Sequence, residues 1–301
     1  MIFKIIQKLI LFSLASLTIL GIQKFCHKKT DGFAVCKIRE AFPTQNTSYA
    51  ENFSPLIKEI LTQPLTYIGK GGQCYAFSTE DGKYVVKLLK YNNNYPRIWF
   101  TLIPFPFGLE SYRQEKLAKK QKKLDGEYAS YDIARQELKE ETGILYFHLN
   151  KNTLPDLKLH IQDKLHISHI LKADSYQFYI QKKGTPFYPE LEQMIQEGKL
   201  ETAKASLDEM LSYLFKRCKK QITDGDDGIW RNFAFQKTHP FQIDIGQFSY
   251  APSLCTQEAY EQDLLFFTKD FRNWLSKTSP ELSLYFTNAI LSLTAEPKDS
   301  L

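Results

Sequence analysis

Two stretches of this 301-residue chain carry side chains whose types and spacing suit phosphate chemistry. The first reads Tyr-Ile-Gly-Lys-Gly-Gly-Gln-Cys-Tyr-Ala-Phe from Tyr67, and a Tyr-Val-Val-Lys run ends at Lys87, 13 residues past Cys74. Glycines at 69, 71 and 72 have no side chain to hold a phosphate away, and the amides of such a loop can donate to its oxygens. Cys74 stands where a third glycine would be usual in a loop of this kind. The second stretch is Asp227-Gly-Ile-Trp-Arg-Asn232, and 12 residues on comes Asp244-Ile-Gly246. A carboxylate at 227 can take the proton of an acceptor hydroxyl, while the Asn232 amide oxygen and the Asp244 carboxylate are hard donors of the sort magnesium binds. Asp224 and Asp226 crowd the same stretch with further acid.

These residues need elements to hold them. Ser54-Pro55 is an N-cap followed by a first-turn proline, which opens a short helix through about Leu61. Leu65 to Lys70, Cys74 to Thr79 and Tyr84 to Lys90 read as three antiparallel strands, with Asp81-Gly82 as a type I′ hairpin signal between the last two. Lys87 on the third strand needs a carboxylate to remain charged if buried. Glu141 is the first choice and Glu137 the next, on a helix expected from Asp125 to Leu149 with Ile133, Ala134, Leu138 and Leu145 inward. Strands are expected at Lys158 to Gln162, His166 to Lys172 and Tyr176 to Lys182, and Gly184 with Pro186 then breaks the chain like a hinge. Helices at Tyr188 to Glu197 and Glu201 to Lys220 lead into the Asp227 loop. A Phe-Ala-Phe strand and a second strand bearing Asp244 follow, and the rest is helical from Gln257 to Leu275 and Glu281 to Leu293.

Between the third strand and the long helix, residues 91–124 form an insertion. Its Trp99-to-Phe107 run, with three prolines in residues 91–111, either packs over the small lobe or dips into a membrane interface. Glu110 to Lys123 carries five lysines and one arginine, the pattern of a solvated helix face that anionic lipid would also attract. At the N-terminus Lys4 and Lys8 precede an uncharged apolar run from Leu9 to Ile22, so residues 1–29 read as a membrane anchor or a signal segment, and 30–53 as a linker. Lys24, Lys28 and Lys29 balance the leading charges and leave orientation open. A net charge of +5, without a patterned basic face, argues against nucleic acid as a partner. Five irregularly spaced cysteines suggest neither a disulfide framework nor a zinc site, which favours a reducing compartment over secretion after signal cleavage.

Taken in order, the glycine run, Lys87, Asp227, Asn232 and Asp244 resemble the protein-kinase-like superfamily in an atypical bacterial form, over about residues 65–250. The resemblance implies an α+β, bilobal fold. It would have an antiparallel-sheet N-lobe at 54–184 and a shortened, mainly helical C-lobe at 185–301, with ATP between them. Gly69, Gly71, Gly72 and Cys74 would cover the phosphates, Lys87 with Glu141 would serve the α and β phosphates, Asp227 would be catalytic, and Asn232 and Asp244 would hold Mg. Residues 166–184 would cradle adenine. The chain departs from the family where Gly225-Asp226 replaces His-Arg, and only a few residues separate Gly246 from the last helices. That shortening leaves no evident platform for a peptide. It points to a non-protein or lipid-linked hydroxyl acceptor and a membrane-associated enzyme facing cytoplasmic ATP, with a nucleotide-sensing or scaffolding pseudokinase as the alternative.

Overall fold

The computed structural model describes residues 2–41, 53–91, 95, 110–151, 154 and 156–295. The apolar run Trp99 to Phe107 lies outside them. The chain divides into two compact units: Met1–Asn92 with Tyr146–Ile180, and Asn93–Leu145 with Gln181–Leu301. The class is α+β, as expected.

The first unit begins with helix α1 (Ile2–Thr30) and is otherwise dominated by a sheet. After α2 (Pro55–Thr62) come β1 (Leu65–Lys70), β2 (Cys74–Thr79) and β3 (Tyr84–Leu89). Ser54 Oγ accepts the Ile57 N–H, so the expected cap is present. β4 (Ile144–His148), β5 (Lys158–Gln162), β6 (Ser168–Lys172) and β7 (Phe178–Lys182) complete a seven-stranded sheet ordered β4-β7-β3-β2-β1-β5-β6. It is mostly antiparallel; the β1–β5 pair is parallel. Phe77, Val86, Leu88, Leu159 and Phe178 are wholly buried on it, and α2, with Ile60 and Leu61 wholly buried, packs against β5. The β2–β3 turn differs from the type I′ form, which needs two consecutive residues at positive φ. Here Gly82 alone has it (φ 69°), and Asp81 Oδ1 accepts from Thr79 Oγ1 and the Lys83 N–H, which stabilises a four-residue turn. Residues 33–41, read from the sequence as linker, are packed rather than loose. Phe33, Ile38 and Ala41 are buried, and Ile38 and Glu40 bridge to Lys90 and Tyr176.

The second unit starts with α3 (Glu110–Gln136) and α4 (Lys139–Thr142). The single helix expected to reach Leu149 is broken at residues 137–138 and ended at Gly143, whose φ of 62° is left-handed. Beyond it Ile-Leu-Tyr-Phe-His, β-branched and aromatic, becomes β4. α5 (Phe187–Gln196) and α6 (Leu200–Lys219) follow. β9 (Ile222–Asp224) then pairs with β12 (Phe248–Tyr250), while β8 (Thr185–Pro186), β10 (Phe233–Gln236) and β11 (His239–Gln242) form a small sheet. The expected hinge at 184–186 is thus a strand edge on β10. Gly184 is there because an added Cβ would lie 2.7 Å from the Phe235 carbonyl oxygen and from Ala234 Cβ. The predicted helix 257–275 is two, α8 (Gln257–Phe267) and α9 (Lys269–Thr278), followed by α10 (Pro280–Thr294). Phe187 stacks on Phe235 at 4.7 Å and touches Phe271, which meets Phe286 edge-on, so one aromatic core joins strands and helices.

Candidate active site

In the first unit the predicted residues sit around one turn. A bulge shifts the β1–β2 register between Tyr67 and Gly69, after which Gly69 pairs with Ala76 and Lys70 with Tyr75. The Gly71 N–H donates to the Cys74 carbonyl at 3.0 Å, which tightens the loop, and Lys90 Nζ donates to the Gly71 carbonyl at 2.6 Å. None of Gly69, Gly71 and Gly72 has a positive φ, so their backbone does not itself demand glycine. Space beside them is what glycine leaves. A Cβ at Gly69 or Gly72 would meet nothing within 4 Å, and one at Gly71 would meet only Cys74 Sγ at 3.8 Å. Cys74 is the first residue of β2 and buried, a strand position rather than part of the turn. Lys87 pairs across to Ala76 on β2, and its ammonium lies 5.4 Å from the Tyr179 ring centre. That places a cation on an aromatic face beside the strand.

In the second unit Asp227 and Asn232 bracket α7 (Ile229–Asn232), a single turn packed under β10. Asp227 is exposed, and among the described residues no hydrogen bond engages its carboxylate. Asp226 is already committed: Oδ1 accepts from Arg231 Nη2 at 2.6 Å and the Gly228 N–H at 3.0 Å. Burial raises its carboxyl, but the hydrogen bonds from Arg231, Gly228 and Asn232 outweigh this and hold it below the ordinary carboxylate value. Asn232 is fully buried. Its Nδ2 donates to the Asp226 carbonyl at 3.1 Å, an oxygen that can only accept, which fixes the amide orientation. Its Oδ1 is then a buried acceptor with no partner among the described residues. The Asn232 carbonyl accepts the N–H groups of Ile243 and Asp244, which ties the second acidic residue to the same point. Asp244 lies two residues past β11, in a loop rather than on a strand, and its Oδ1 accepts the Gly246 N–H at 3.2 Å.

Behind this loop is a buried polar cluster that the sequence reading passed over. Gln242, fully buried, donates through Nε2 to Asp224 Oδ2 at 2.5 Å and to the Asp244 carbonyl at 3.1 Å, and accepts from Tyr213 Oη at 2.5 Å. Asp224 Oδ1 accepts the Asp226 N–H at 3.0 Å. Arg217, also fully buried, lies 3.9 Å from both Asp224 and Asp263 and over the Phe267 ring. Burial pushes the Asp224 carboxyl up to about 6, against the pull of Arg217. Ser130 of α3 donates to the Ile245 carbonyl at 2.5 Å and accepts the Phe248 N–H at 2.7 Å, which fixes the segment after Asp244 from its other side. A glutamine two residues before an acid on a strand was the one available sequence signal. Burial of Gln242 could not be read from it.

Glu141 and Glu137, the candidates for partnering Lys87, are each engaged by a lysine of their own unit. Glu141 forms an ion pair with Lys216, and Glu137 pairs with Lys220 at 3.0 Å. Glu141 lines a cavity of about 540 Å³ with Lys182, Tyr213, Lys216 and Phe241, which Asp227, Asn232 and Asp244 do not line. The buried acid of this region is Glu127 on α3, which accepts from Tyr131 Oη at 2.8 Å.

Within the second unit, the Asn232 and Asp244 oxygens are donors of the kind a hard cation takes. Among the described residues no three acidic, histidine or cysteine side chains converge. An ion at Asn232 and Asp244 would therefore be held by one amide and one carboxylate oxygen and complete its shell with water and phosphate, as magnesium does. The orphaned Asn232 Oδ1 is the observation that fits it.

No protein-family model matches the chain, and no curated protein matches it. Among solved structures it is similar to WbdD, described as a bifunctional kinase-methyltransferase. The identity is 15%, the TM-score 0.34, and the alignment covers 75% of this chain and 44% of that one. It is also similar to Rv3197 of Mycobacterium tuberculosis, solved with erythromycin, at 12% identity, TM-score 0.32, and coverage of 74% and 57%. The chain thus spans less than two thirds of either. At these TM-scores the fold assignment rests on the chain's own elements.

Proposed function

We propose that this chain is an ATP- and magnesium-dependent phosphotransferase of protein-kinase-like type, acting on a hydroxyl of a non-protein or lipid-linked acceptor. The observation that carries the proposal is Asn232, whose buried Oδ1 has no partner among the described residues while its Nδ2 and carbonyl are engaged. Magnesium, when bound, would neutralise phosphate charge as it develops in transfer. Asn232 and Asp244 would hold it. The amides around Gly71 and the Lys87 ammonium would bind phosphate oxygens, and Asp227, exposed and uncommitted, would take the acceptor proton. Asp226 is the runner-up for that role, since its carboxylate is occupied by Arg231 and Gly228. A small acceptor is supported by the short path after Asp244: β12 ends at Tyr250 and α8 starts at Gln257.

The helix α1 holds a stretch, Ile10–Thr30, long and apolar enough to cross a membrane, with mean hydropathy 1.4. We read it as an uncleaved anchor that keeps the enzyme near a lipid-linked acceptor.

The test is thermal denaturation of the full chain in detergent with and without magnesium and ATP, beside an assay of ATP turnover. Stabilisation that needs both ligands and is lost in Lys87→Ala and Asp244→Ala is expected, with turnover abolished in Asp227→Asn. Stabilisation without turnover would replace the enzyme by a nucleotide-sensing pseudokinase. Neither effect in a folded chain would overturn the nucleotide site.

A further inference from the structure

The foot of α1 is clasped to the sheet of its own unit, and the clasp includes a turn that exposes two large aliphatic residues. Asp31 Oδ2 accepts from Lys164 Nζ at 2.9 Å and Tyr67 Oη at 3.1 Å, and its carbonyl accepts from Lys70 Nζ at 2.7 Å. The next carbonyl, Gly32, accepts from Tyr75 Oη at 3.0 Å and Lys37 Nζ at 2.8 Å. Phe33 then inserts among Tyr67, Tyr75, Phe77 and His169. A helix tied by five hydrogen bonds and a buried ring is not on a swivel. Along its length, though, it is largely exposed among the described residues: Leu11 and Phe12 are 73% exposed and Leu17 is 68% exposed.

Lys164 belongs to the turn between β5 and β6. Asp163 holds that turn rigidly, accepting the N–H groups of Leu165 at 2.8 Å and Ile167 at 3.0 Å on Oδ1 and lying 2.9 Å from His169 Nε2 through Oδ2. Between them His166 takes a left-handed φ of 62°. The turn leaves Leu165 47% and Ile167 52% exposed. A turn of fixed backbone that shows two large aliphatics to solvent loses free energy there unless something covers them. Lys24, Lys28 and Lys29 stand on the last two turns of α1, and Lys37, Lys70 and Lys164 reach residues 31–32. Cations therefore gather at the foot of α1, where Lys164 of the same turn as the apolar pair is bound, a charge that an anionic lipid surface would select.

We propose that the β5–β6 turn is seated on an anionic phospholipid surface, with Leu165 and Ile167 among the headgroups beside the point where α1 enters the bilayer. The inference rests on α1 being a membrane anchor and adds to it a fixed stance: the first unit would be held by two contacts, not one. A soluble partner protein would also cover the turn, but continuity with an apolar helix through the Asp31–Lys164 pair favours lipid.

The test places tryptophan at the turn in the full chain, reconstituted in vesicles of phosphatidylcholine with a minority of phosphatidylglycerol. The added fluorescence of Ile167→Trp and, separately, Leu165→Trp is expected to be quenched by lipids brominated near the headgroup. That of Leu284→Trp, at an exposed position of the other unit, is expected not to be. Weaker quenching in phosphatidylcholine alone is expected from the lysines, and equal quenching in both would overturn the anionic preference. Quenching at neither turn position, with the chain retained in membranes at alkaline pH, would overturn the seat and leave the anchor standing. Release of the wild-type chain at alkaline pH would overturn both.

Discussion

The glycine turn of the first unit and the Asp224–Asp244 region of the second were read from equally short motifs, yet they are built in opposite ways. The glycine turn is held by the Gly71–Cys74 backbone bond and one lysine ammonium and surrounds itself with space: a methyl group on Gly69 or Gly72 would meet nothing within 4 Å among the described residues. The acidic region is filled. Every carboxylate there except that of Asp227 has a protein hydrogen bond, and the backbone is pinned by Gln242, Asn232 and Ser130 from three sides. An open loop can close over a ligand that supplies the missing contacts. A filled one holds its acceptors in place before any ligand arrives, as the buried Asn232 Oδ1 is held. If the proposed nucleotide site is real, ligand binding would order the first region and find the second already formed.

The largest effect expected from that contrast is on turnover. Asp227→Asn should lower it ~10²–10⁴-fold, the range for loss of a general base, while magnesium with ATP still stabilises the chain. Equal loss in Asp226→Asn alone, with Asp227→Asn active, would move the base to the residue that Arg231 holds. Next is pH. The Asp224 carboxyl, raised from 3.8 to about 6 in the folded chain, favours folding below 3.8, and that contribution of ~3 kcal/mol is lost as pH rises through about 6. Asp224→Asn, which cannot ionise, should flatten this fall in a denaturation series; an unchanged slope would show that Asp224 is not the titrating group. Lys87→Ala and Asn232→Ala should each remove the stabilisation given by saturating magnesium and ATP, ~2.7 kcal/mol at a hundred times the dissociation constant. They should differ without ligand. Lys87→Ala is expected to leave the apo chain near wild type, whereas Asn232→Ala, which frees the Asp226 carbonyl, is expected to destabilise it.

Smaller is Gly184→Ala. The new methyl would press on a carbonyl oxygen at 2.7 Å, and ~1–3 kcal/mol of destabilisation is expected, read from the denaturation midpoint. Its counterpart Gly72→Ala should leave apo stability almost unchanged and weaken only nucleotide binding. Smallest is Glu141→Gln. Its partner Lys216 is half exposed, so no more than ~1 kcal/mol is expected, diminishing with salt; a loss of nucleotide binding instead would restore Glu141 to the role first expected of it.

Strand positions β1 to β3 and most helices were legible because alternation, caps and turn residues act over a few neighbours. Ser54-Pro55 started α2 where local chemistry said it would. The break after Gln136 was not legible, since Glu-Leu-Lys-Glu-Glu has helical propensity throughout. Gly143, in a left-handed conformation, then ends the short helix that follows and releases β4. The same holds for charges. Glu141 and Glu127 are equivalent in sequence, but one faces Lys216 at the surface and the other is buried, a distinction only packing makes.

By itself the sequence determined which residue types were available and in what order: glycines with Lys87, then Asp227, Asn232 and Asp244, behind an apolar N-terminal helix. Only the tertiary structure decided which acids are spent on the protein's own cations and amides, which asparagine oxygen is left over, and that the foot of α1 is clasped by side chains from 36 to 133 positions away. The reason is physical. Propensity and periodicity act between near neighbours, whereas burial and hydrogen-bond satisfaction depend on segments brought together from afar.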